Sequence, residues 1–177
     1  MAKLYLFCGI IASGKSTLAN KISKYDTHII LNEDKWLSML FPNEIGSPQE
    51  FKIKSNRLEE ALFDHLVQLL KTNNNIVLDF HANTKLRREW MMEIIKASNC
   101  ENELHFFDLP DDVCKQRLRE RNATGKHEYQ ASDDMYDMYD MYDMFDMFDM
   151  FDMFDMFAKY FSPPSNDEGF NIVRHTD

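Results

Sequence analysis

The feature that most constrains this chain is a stretch near its N-terminus, Gly9-Ile10-Ile11-Ala12-Ser13-Gly14-Lys15-Ser16. It matches in full the pattern G-x-x-x-x-G-K-[ST], in which glycines let the backbone wrap phosphate groups and backbone N–H groups donate to them. An apolar run precedes the stretch, and apolar residues at helical spacing follow it. A strand, a loop and a helix in this order predict a phosphate-binding loop.

Each residue type in this loop has a chemical reason to be there. Lys15 is expected to neutralise the β- and γ-phosphates of ATP and therefore to count among the catalytic residues, while Ser16 is expected to hold Mg²⁺. The sequence thus predicts ATP and Mg²⁺ as the molecules that bind at the loop. The residues expected to contact the nucleotide are Gly9, Ala12, Ser13, Gly14, Lys15, Ser16 and Thr17.

Short apolar runs alternate with helical patterns along the rest of the chain, as they do in parallel α/β sheets with right-handed crossovers. We therefore predict an α/β fold of three layers, organised as one domain over residues 1–177. The predicted strands are 4–8, 28–31, 76–78, 104–109 and 170–173, and the predicted helices are 15–23, 36–40, 47–71, 84–97 and 111–122.

Two of the predicted helices have recognisable ends and packing faces. Ser47 is expected to cap the long helix, along which Leu58, Leu62, Leu66 and Leu70 recur every four residues. Thr84 is expected to cap the following helix and to place Leu86, Trp90 and Ile94 on one face.

Charged residues at the ends of predicted strands are candidates for chemistry. Asp79 ends an apolar strand and could orient Mg²⁺ or its water, although a simple strand-end charge is the alternative. Asp34 follows the second strand and could accept a proton from an acceptor hydroxyl, with Glu33 as the alternative base and a solvated surface pair as a third interpretation. Arg117 and Arg121 lie four residues apart on one helix, where they could hold phosphate oxygens or form an ordinary charged face.

The segment 134–157 consists of eight perfect triplets, Asp-Met-Tyr three times and then Asp-Met-Phe five times. Its eight aspartates account for most of the net charge of −10, so the rest of the chain is nearly neutral and lacks the basic excess of a general nucleic-acid binder. Because methionine and aromatic residues fill two thirds of the segment, we expect an expanded helical insertion and not a solvated tail. Projecting Met and Phe side chains would then favour a homo-oligomer through this segment.

Other features indicate the cellular setting. The three cysteines, Cys8, Cys100 and Cys114, share no metal-ligand spacing and lie in apolar stretches, so reduced thiols of a cytoplasmic protein are expected. The six histidines, including His81 and His127, show no ligand spacing and are expected to be ordinary side chains. No run of about 18 apolar residues suggests a membrane span.

Several of these motifs together resemble a family of bacterial AAA-type ATP-binding proteins. The family is similar to the branch of P-loop kinases that contains polynucleotide kinase, chloramphenicol phosphotransferase and zeta toxin. The resemblance covers nearly all of the chain outside the triplets. It rests on Gly9 to Thr17, Asn32-Glu33-Asp34-Lys35-Trp36, Leu78-Asp79-Phe80 with Asn83-Thr84, Asp111-Asp112-Val113-Cys114, Arg117 to Asn122, and Phe161 to Pro164 with Glu168-Gly169-Phe170.

The resemblance implies a five-stranded parallel sheet in the order 2-3-1-4-5, with Asp34 as general base and Arg117 and Arg121 as the lid arginines. It also implies a kinase that acts on a small-molecule or nucleotide-like hydroxyl compound, with a role in defence or toxicity by analogy with zeta toxin. A polynucleotide or RNA kinase is the alternative, which Leu37 disfavours because polynucleotide kinases have an arginine three residues after the base. A nucleotide-dependent switch or assembly module that uses the triplets is a third hypothesis, from a different class.

Overall fold

A computed structural model of the chain describes residues 1–25, 27–45, 48–124 and 161–176, without the side chains of residues 48, 49 and 121–124. The predicted triplet helix, the cap at Ser47 and His127 lie outside the described residues. The elements in chain order are β1 (Lys3–Gly9), α1 (Lys15–Ile22), β2 (His28–Asn32), α2 (Glu33–Leu40), α3 (Pro48–Lys71), β3 (Asn75–His81), α4 (Lys85–Ser98), β4 (Glu101–Phe107), α5 (Asp111–Thr124), a 3₁₀ turn (Asn166–Glu168) and β5 (Ile172–His175).

The five strands form one parallel sheet in the order β2-β3-β1-β4-β5, which confirms the predicted fold and strand order. The central strand β1 pairs with β3 on one side and with β4 on the other. Because all strands run in the same direction, their carboxyl ends meet at one edge of the sheet, where the phosphate-binding loop begins. This edge is where the candidate site residues are expected to meet.

Apolar side chains cover both faces of the sheet. On one face, Leu4, Leu6 and Leu78 pack against α3 and α4 in the largest core cluster. On the other face, Phe7 and Val77 pack with Ala19 of α1. The predicted leucine stripe of α3 is confirmed as buried, since Leu58, Leu62, Leu66 and Leu70 all belong to the large cluster.

The prediction of the packing face of α4 is wrong at Leu86, which is 71% exposed. The buried residues of this helix are Arg88, Met91, Ile94 and Ile95, so the buried face is rotated relative to the predicted one. An arginine occupies it because Arg88 donates to Glu168, at 2.6 and 3.0 Å, and to the carbonyls of Ala82, Ser162 and Pro163. These partners satisfy a charge that would otherwise be costly to bury.

The last two strands differ from their predicted bounds. The fourth strand begins at Glu101 and ends at Phe107, so Leu109 lies beyond it and packs in a small cluster beside α5. The fifth strand is Ile172–His175, two residues later than predicted, and Phe170 is a buried residue that precedes it. The apolar character of Leu109 and Phe170 therefore reflects burial in loops.

None of the helices in the described residues combines the length and the apolar character that crossing a membrane requires.

Candidate functional site

The loop between β1 and α1 has the backbone shape that its sequence predicts. Gly9 and Gly14 have φ values of 153° and 104°, in a region that favours glycine. A Cβ added at Gly9 would lie 2.8 Å from both the Phe107 Cβ and the Ser13 Oγ, so a side chain has no room there. Gly14 is the N-cap of α1 and has no side chain to cap it, so the first N–H groups of the helix remain available for an anion.

Lys15 carries its ammonium group into the interior of this loop. The Nζ atom donates to the carbonyls of Gly9 at 2.7 Å and Ile10 at 2.8 Å, and lies 3.4 Å from the Ser13 Oγ. Burial lowers the pKa of Lys15 to about 8, and the negative charges of Asp79 and Asp34 act in the opposite direction. The loop therefore holds a cation whose charge depends on pH just above neutrality.

Ser16 and Asp79 form the candidate magnesium site. The Ser16 hydroxyl lies 3.3 Å from one oxygen of Asp79, and the other oxygen of Asp79 accepts a hydrogen bond of 2.7 Å from the Asn32 amide. Hydroxyl and carboxylate oxygens are the ligand types that Mg²⁺ prefers, and neighbouring ligands in its octahedral shell lie about 3 Å apart. The spacing of these two oxygens therefore fits a Mg²⁺ ion, bound directly or through its water.

Asn32 connects this site to the first turn of α2. Its side-chain oxygen accepts from the backbone N–H of Lys35 at 2.8 Å and so caps the helix, while its amide donates to Asp79. Asp34 lies in that first turn, is partly buried, and is close enough to Lys15 for its charge to raise the lysine pKa. The candidate base and the phosphate-binding lysine thus belong to one electrostatic environment.

Glu33, the alternative base, is placed differently. Its side chain is fully buried and accepts from Arg87 at 2.6 and 3.1 Å and from the Ser55 hydroxyl at 2.5 Å. Burial alone would raise the pKa of Glu33, but the contact with His81 and the charge of Arg87 outweigh it and hold that pKa far below its usual value. A buried carboxylate that is already bound so firmly is unsuited to receive a proton, which leaves Asp34 as the candidate base.

The two predicted lid arginines lie on α5, which packs beside the loop through Cys114 and Leu118. Arg117 is exposed, and its Nη1 is 3.5 Å from the carbonyl oxygen of Ser13. The side chain of Arg121 lies outside the described residues. The structure therefore brings Arg117 to the loop, while the role of Arg121 stays a prediction.

Sequence reasoning gave no role to Asn83, which holds the loop from the β3 side. Its side-chain oxygen accepts from the backbone N–H of Gly9 at 2.9 Å, and its own carbonyl accepts from the N–H of Ser162 at 2.9 Å. The only signal in the sequence was its place in the Asn83-Thr84 pair of the resemblance. Asn32 likewise has no signal in the sequence beyond its place in the Asn32-Glu33-Asp34 motif, although its amide donates to Asp79.

A separate cavity of about 370 Å³ lies between α3 and α4, lined by Glu60, Phe63 and Trp90 among others. It shares no lining residue with the loop, with the Ser16–Asp79 pair or with Asp34. The chemistry predicted from the sequence therefore belongs to the edge of the sheet and not to this cavity.

Comparisons with known proteins agree with this geometry. Residues 4–141 match the family model described as an AAA domain. A candidate kinase from Chloroflexus aurantiacus J-10-fl is similar with a TM-score of 0.67 at 14% identity, covering 99% of this chain and 85% of that chain. A sugar kinase from Janibacter sp. HTCC2649 is similar with a TM-score of 0.61 at 12% identity, covering 99% and 86%.

A chain of the Pnkp1/Rnl/Hen1 complex is similar with a TM-score of 0.52 at 24% identity, and the match covers 73% of this chain but 40% of that chain. No curated protein matches this chain significantly in sequence. At such identities the similarity to solved structures is one of fold, and it leaves the substrate to be argued from the site itself.

Proposed function

Because the chain belongs to the AAA domain family and has the fold of P-loop kinases, we propose that it transfers the γ-phosphate of ATP to a hydroxyl group of a small-molecule or nucleotide-like acceptor. One observation carries this proposal. The Asp34 carboxylate lies near enough to Lys15 to affect the pKa of that lysine, while the carboxylate of the neighbouring Glu33 is buried and held by Arg87 and Ser55.

The loop residues bind and orient ATP. The N–H groups at the start of α1 donate to phosphate oxygens, and the Lys15 ammonium exchanges its carbonyl partners for the β- and γ-phosphates. Ser16 and Asp79 would hold Mg²⁺, which would neutralise charge on the phosphate oxygens. Asn32 keeps the Asp79 carboxylate oriented through its 2.7 Å hydrogen bond.

Asp34 serves the acceptor side of the reaction. Its carboxylate accepts the proton of the acceptor hydroxyl as the hydroxyl oxygen forms a bond to the γ-phosphorus. The bond between that phosphorus and the oxygen of ADP breaks, and ADP leaves with the electron pair. Arg117, with Arg121, stabilises the charge on the transferring group from the α5 side.

The test is transfer from γ-labelled ATP to a panel of sugars, nucleosides, antibiotics and RNA. Asp34→Asn should retain MgATP binding and lose transfer by about a hundredfold or more, the usual size of a general-base effect. Asp64→Asn, at an exposed position of α3, is the matched control and should behave as the wild type. Normal transfer by Asp34→Asn would refute the assigned base, and hydrolysis without transfer to any acceptor would favour the switch.

RNA belongs in the panel because of the similarity to a chain of the Pnkp1/Rnl/Hen1 complex. Labelling of RNA ends alone would replace the small-molecule proposal with the polynucleotide kinase alternative. Lys15→Ala provides a separate check on nucleotide binding, because MgATP should raise the melting temperature of the wild type and not of this variant.

A further inference from the structure

The hydrogen bonds between β1 and β3 end on a side chain. The register of the two strands shifts just before Phe7, and beyond the shift the N–H of Ala82 donates to the carbonyl of Phe7 at 3.0 Å. Two residues further along β1, the N–H of Gly9 donates to the side-chain oxygen of Asn83 at 2.9 Å. An amide side chain therefore takes the place of a backbone partner at the residue where the phosphate-binding loop begins.

The other end of the same strand pair has an equivalent contact. There the N–H of Lys3 donates to the side-chain oxygen of Asn75, also at 2.9 Å. Asn75 is the first residue of β3, whereas Asn83 lies two residues beyond its end. Two asparagines thus make the same kind of hydrogen bond to β1, one at the loop and one at the far end of the strand pair.

The position of Gly9 matters for the phosphate site. Its carbonyl accepts from the Lys15 ammonium at 2.7 Å, and a Cβ added at Gly9 would lie 2.8 Å from both the Phe107 Cβ and the Ser13 Oγ. A displacement of Gly9 would therefore move the group that holds the lysine. Because donors that already point at the phosphates bind them without a cost of rearrangement, a residue that fixes Gly9 supports MgATP affinity without contact with ATP.

The backbone of Asn83 connects the loop to a distant part of the chain. Its carbonyl accepts from the N–H of Ser162 at 2.9 Å, and the carbonyl of Ser162 accepts from Arg88 at 2.7 Å. The neighbouring Phe161 packs against the small apolar cluster that contains Ile10 of the loop. One polar and one apolar contact therefore join residues 161 and 162 to the surroundings of the phosphate-binding loop.

We propose that Asn83 is a positioning residue for MgATP, which fixes Gly9 through its side chain and makes residues 161 and 162 part of the nucleotide site through its backbone. The link acts in both directions, because a contact that favours the binding-competent loop is itself favoured by bound MgATP. The proposal rests on the nucleotide-binding part of the proposed function and adds to it a second segment of the chain.

The first test is calorimetric titration of two alanine variants with MgATP. Asn83→Ala should raise the Kd about tenfold, which corresponds to one lost hydrogen bond of about 1.4 kcal/mol. Asn75→Ala is the matched control, because it removes the same kind of hydrogen bond at the far end of the strand pair, and its Kd should stay within about twofold of the wild type. Both variants should lower the urea midpoint of unfolding to a similar extent. A wild-type Kd for Asn83→Ala, or an equal rise in both variants, refutes the positioning role.

The second test measures amide hydrogen exchange in the wild type, so it applies even if Asn83→Ala does not fold. By reciprocity, saturating MgATP should slow exchange of the Ser162 N–H by about tenfold more than that of a control amide. The control is the N–H of Asn171, which lies in the same terminal segment and donates to the Asn102 side chain at 2.9 Å. Equal slowing of both amides would show that residues 161 and 162 are not part of the nucleotide site.

A third comparison concerns the apolar contact. Phe161→Ala should raise the Kd for MgATP, and Phe161→Leu, which keeps a large apolar side chain, should recover part of the affinity. A wild-type Kd for Phe161→Ala would contradict the contribution of this segment. None of these measurements uses an acceptor. If the wild type binds no MgATP, the proposed function fails and this proposal fails with it, whereas tight binding by both the wild type and Asn83→Ala refutes this proposal alone.

Discussion

The positive charge of the Lys15 side chain depends on pH just above neutrality. Its Nζ is enclosed by the carbonyls of Gly9 and Ile10, and burial lowers its pKa to about 8. The lysine is therefore about 90% protonated at pH 7 and about 10% protonated at pH 9. Raising the pH between these values should weaken MgATP binding without any change of sequence.

The size of the effect follows from linkage. Phosphate oxygens stabilise the ammonium form, so the lysine pKa is higher in the complex than in the free protein, and binding above pH 8 must take up a proton. With a free pKa of about 8, the Kd for MgATP should rise about tenfold between pH 7 and pH 9, which corresponds to about 1.4 kcal/mol.

The assay is calorimetric titration with MgATP at pH 7, 8 and 9 and at constant ionic strength. Lys15→Arg serves as the control, because a guanidinium keeps its charge over this range and its Kd should hardly depend on pH, whatever its absolute value. A wild-type Kd that is constant within about twofold from pH 7 to pH 9, or an equal rise in the arginine variant, would refute the reasoning.

Three further predictions concern parts of the molecule away from the phosphates. Glu168→Gln should lower the free energy of unfolding by about 3 kcal/mol in urea, because it leaves the buried Arg88 charge without its carboxylate; Glu89→Gln, at an exposed position, should have little effect. Burial, followed by the charge of His175, lowers the pKa of His105 to about 4, so on acidification the unfolded chain takes up a proton at a higher pH than the folded chain does. About 1 to 2 kcal/mol of stability should therefore be lost between pH 7 and pH 5. A His105→Leu variant that shows the same loss would contradict this. Deletion of residues 137–154, six triplets, should convert an oligomer into a monomer that still binds MgATP; sedimentation of a full-length protein that is already monomeric at tens of micromolar would exclude assembly through the triplets.

The parts of the fold that local sequence determines were predicted well. Each of the first three strands contains an apolar run that the sequence displays, and the predicted cap at Thr84 is a short-range contact that is confirmed. The strand order came from the resemblance and is confirmed by the sheet. The errors arose where distant residues determine burial, as at Arg88, whose buried charge is satisfied by Glu168 and by the carbonyls of Ser162 and Pro163, all more than 70 positions away.

The candidate site likewise combines residues that a continuous stretch of sequence identifies with residues whose position depends on the folded chain. The phosphate-binding loop is continuous in sequence, so its residues could be named from the pattern alone. Glu33 and Asp34 are adjacent carboxylates, and their different rotation on α2 gives Glu33 a buried ion pair and leaves Asp34 partly buried, with its charge acting on Lys15. The contact between His81 and Glu33 could not be predicted from the sequence, because the two residues lie 48 positions apart in the chain.

The anchoring of residues 161–176 has a consequence for how the gene can change. Beyond the triplets in sequence, the N–H of Ser162 donates to the carbonyl of Asn83, and Arg88 and Glu168 fix the path of the chain toward β5. All of these contacts lie outside the repeat. Each triplet is encoded by nine bases, so a slip of the polymerase by whole units during replication keeps the reading frame. Such a slip leaves the codons of the anchoring residues unchanged. Repeat number can therefore differ between copies of the gene while the nucleotide site is inherited unchanged.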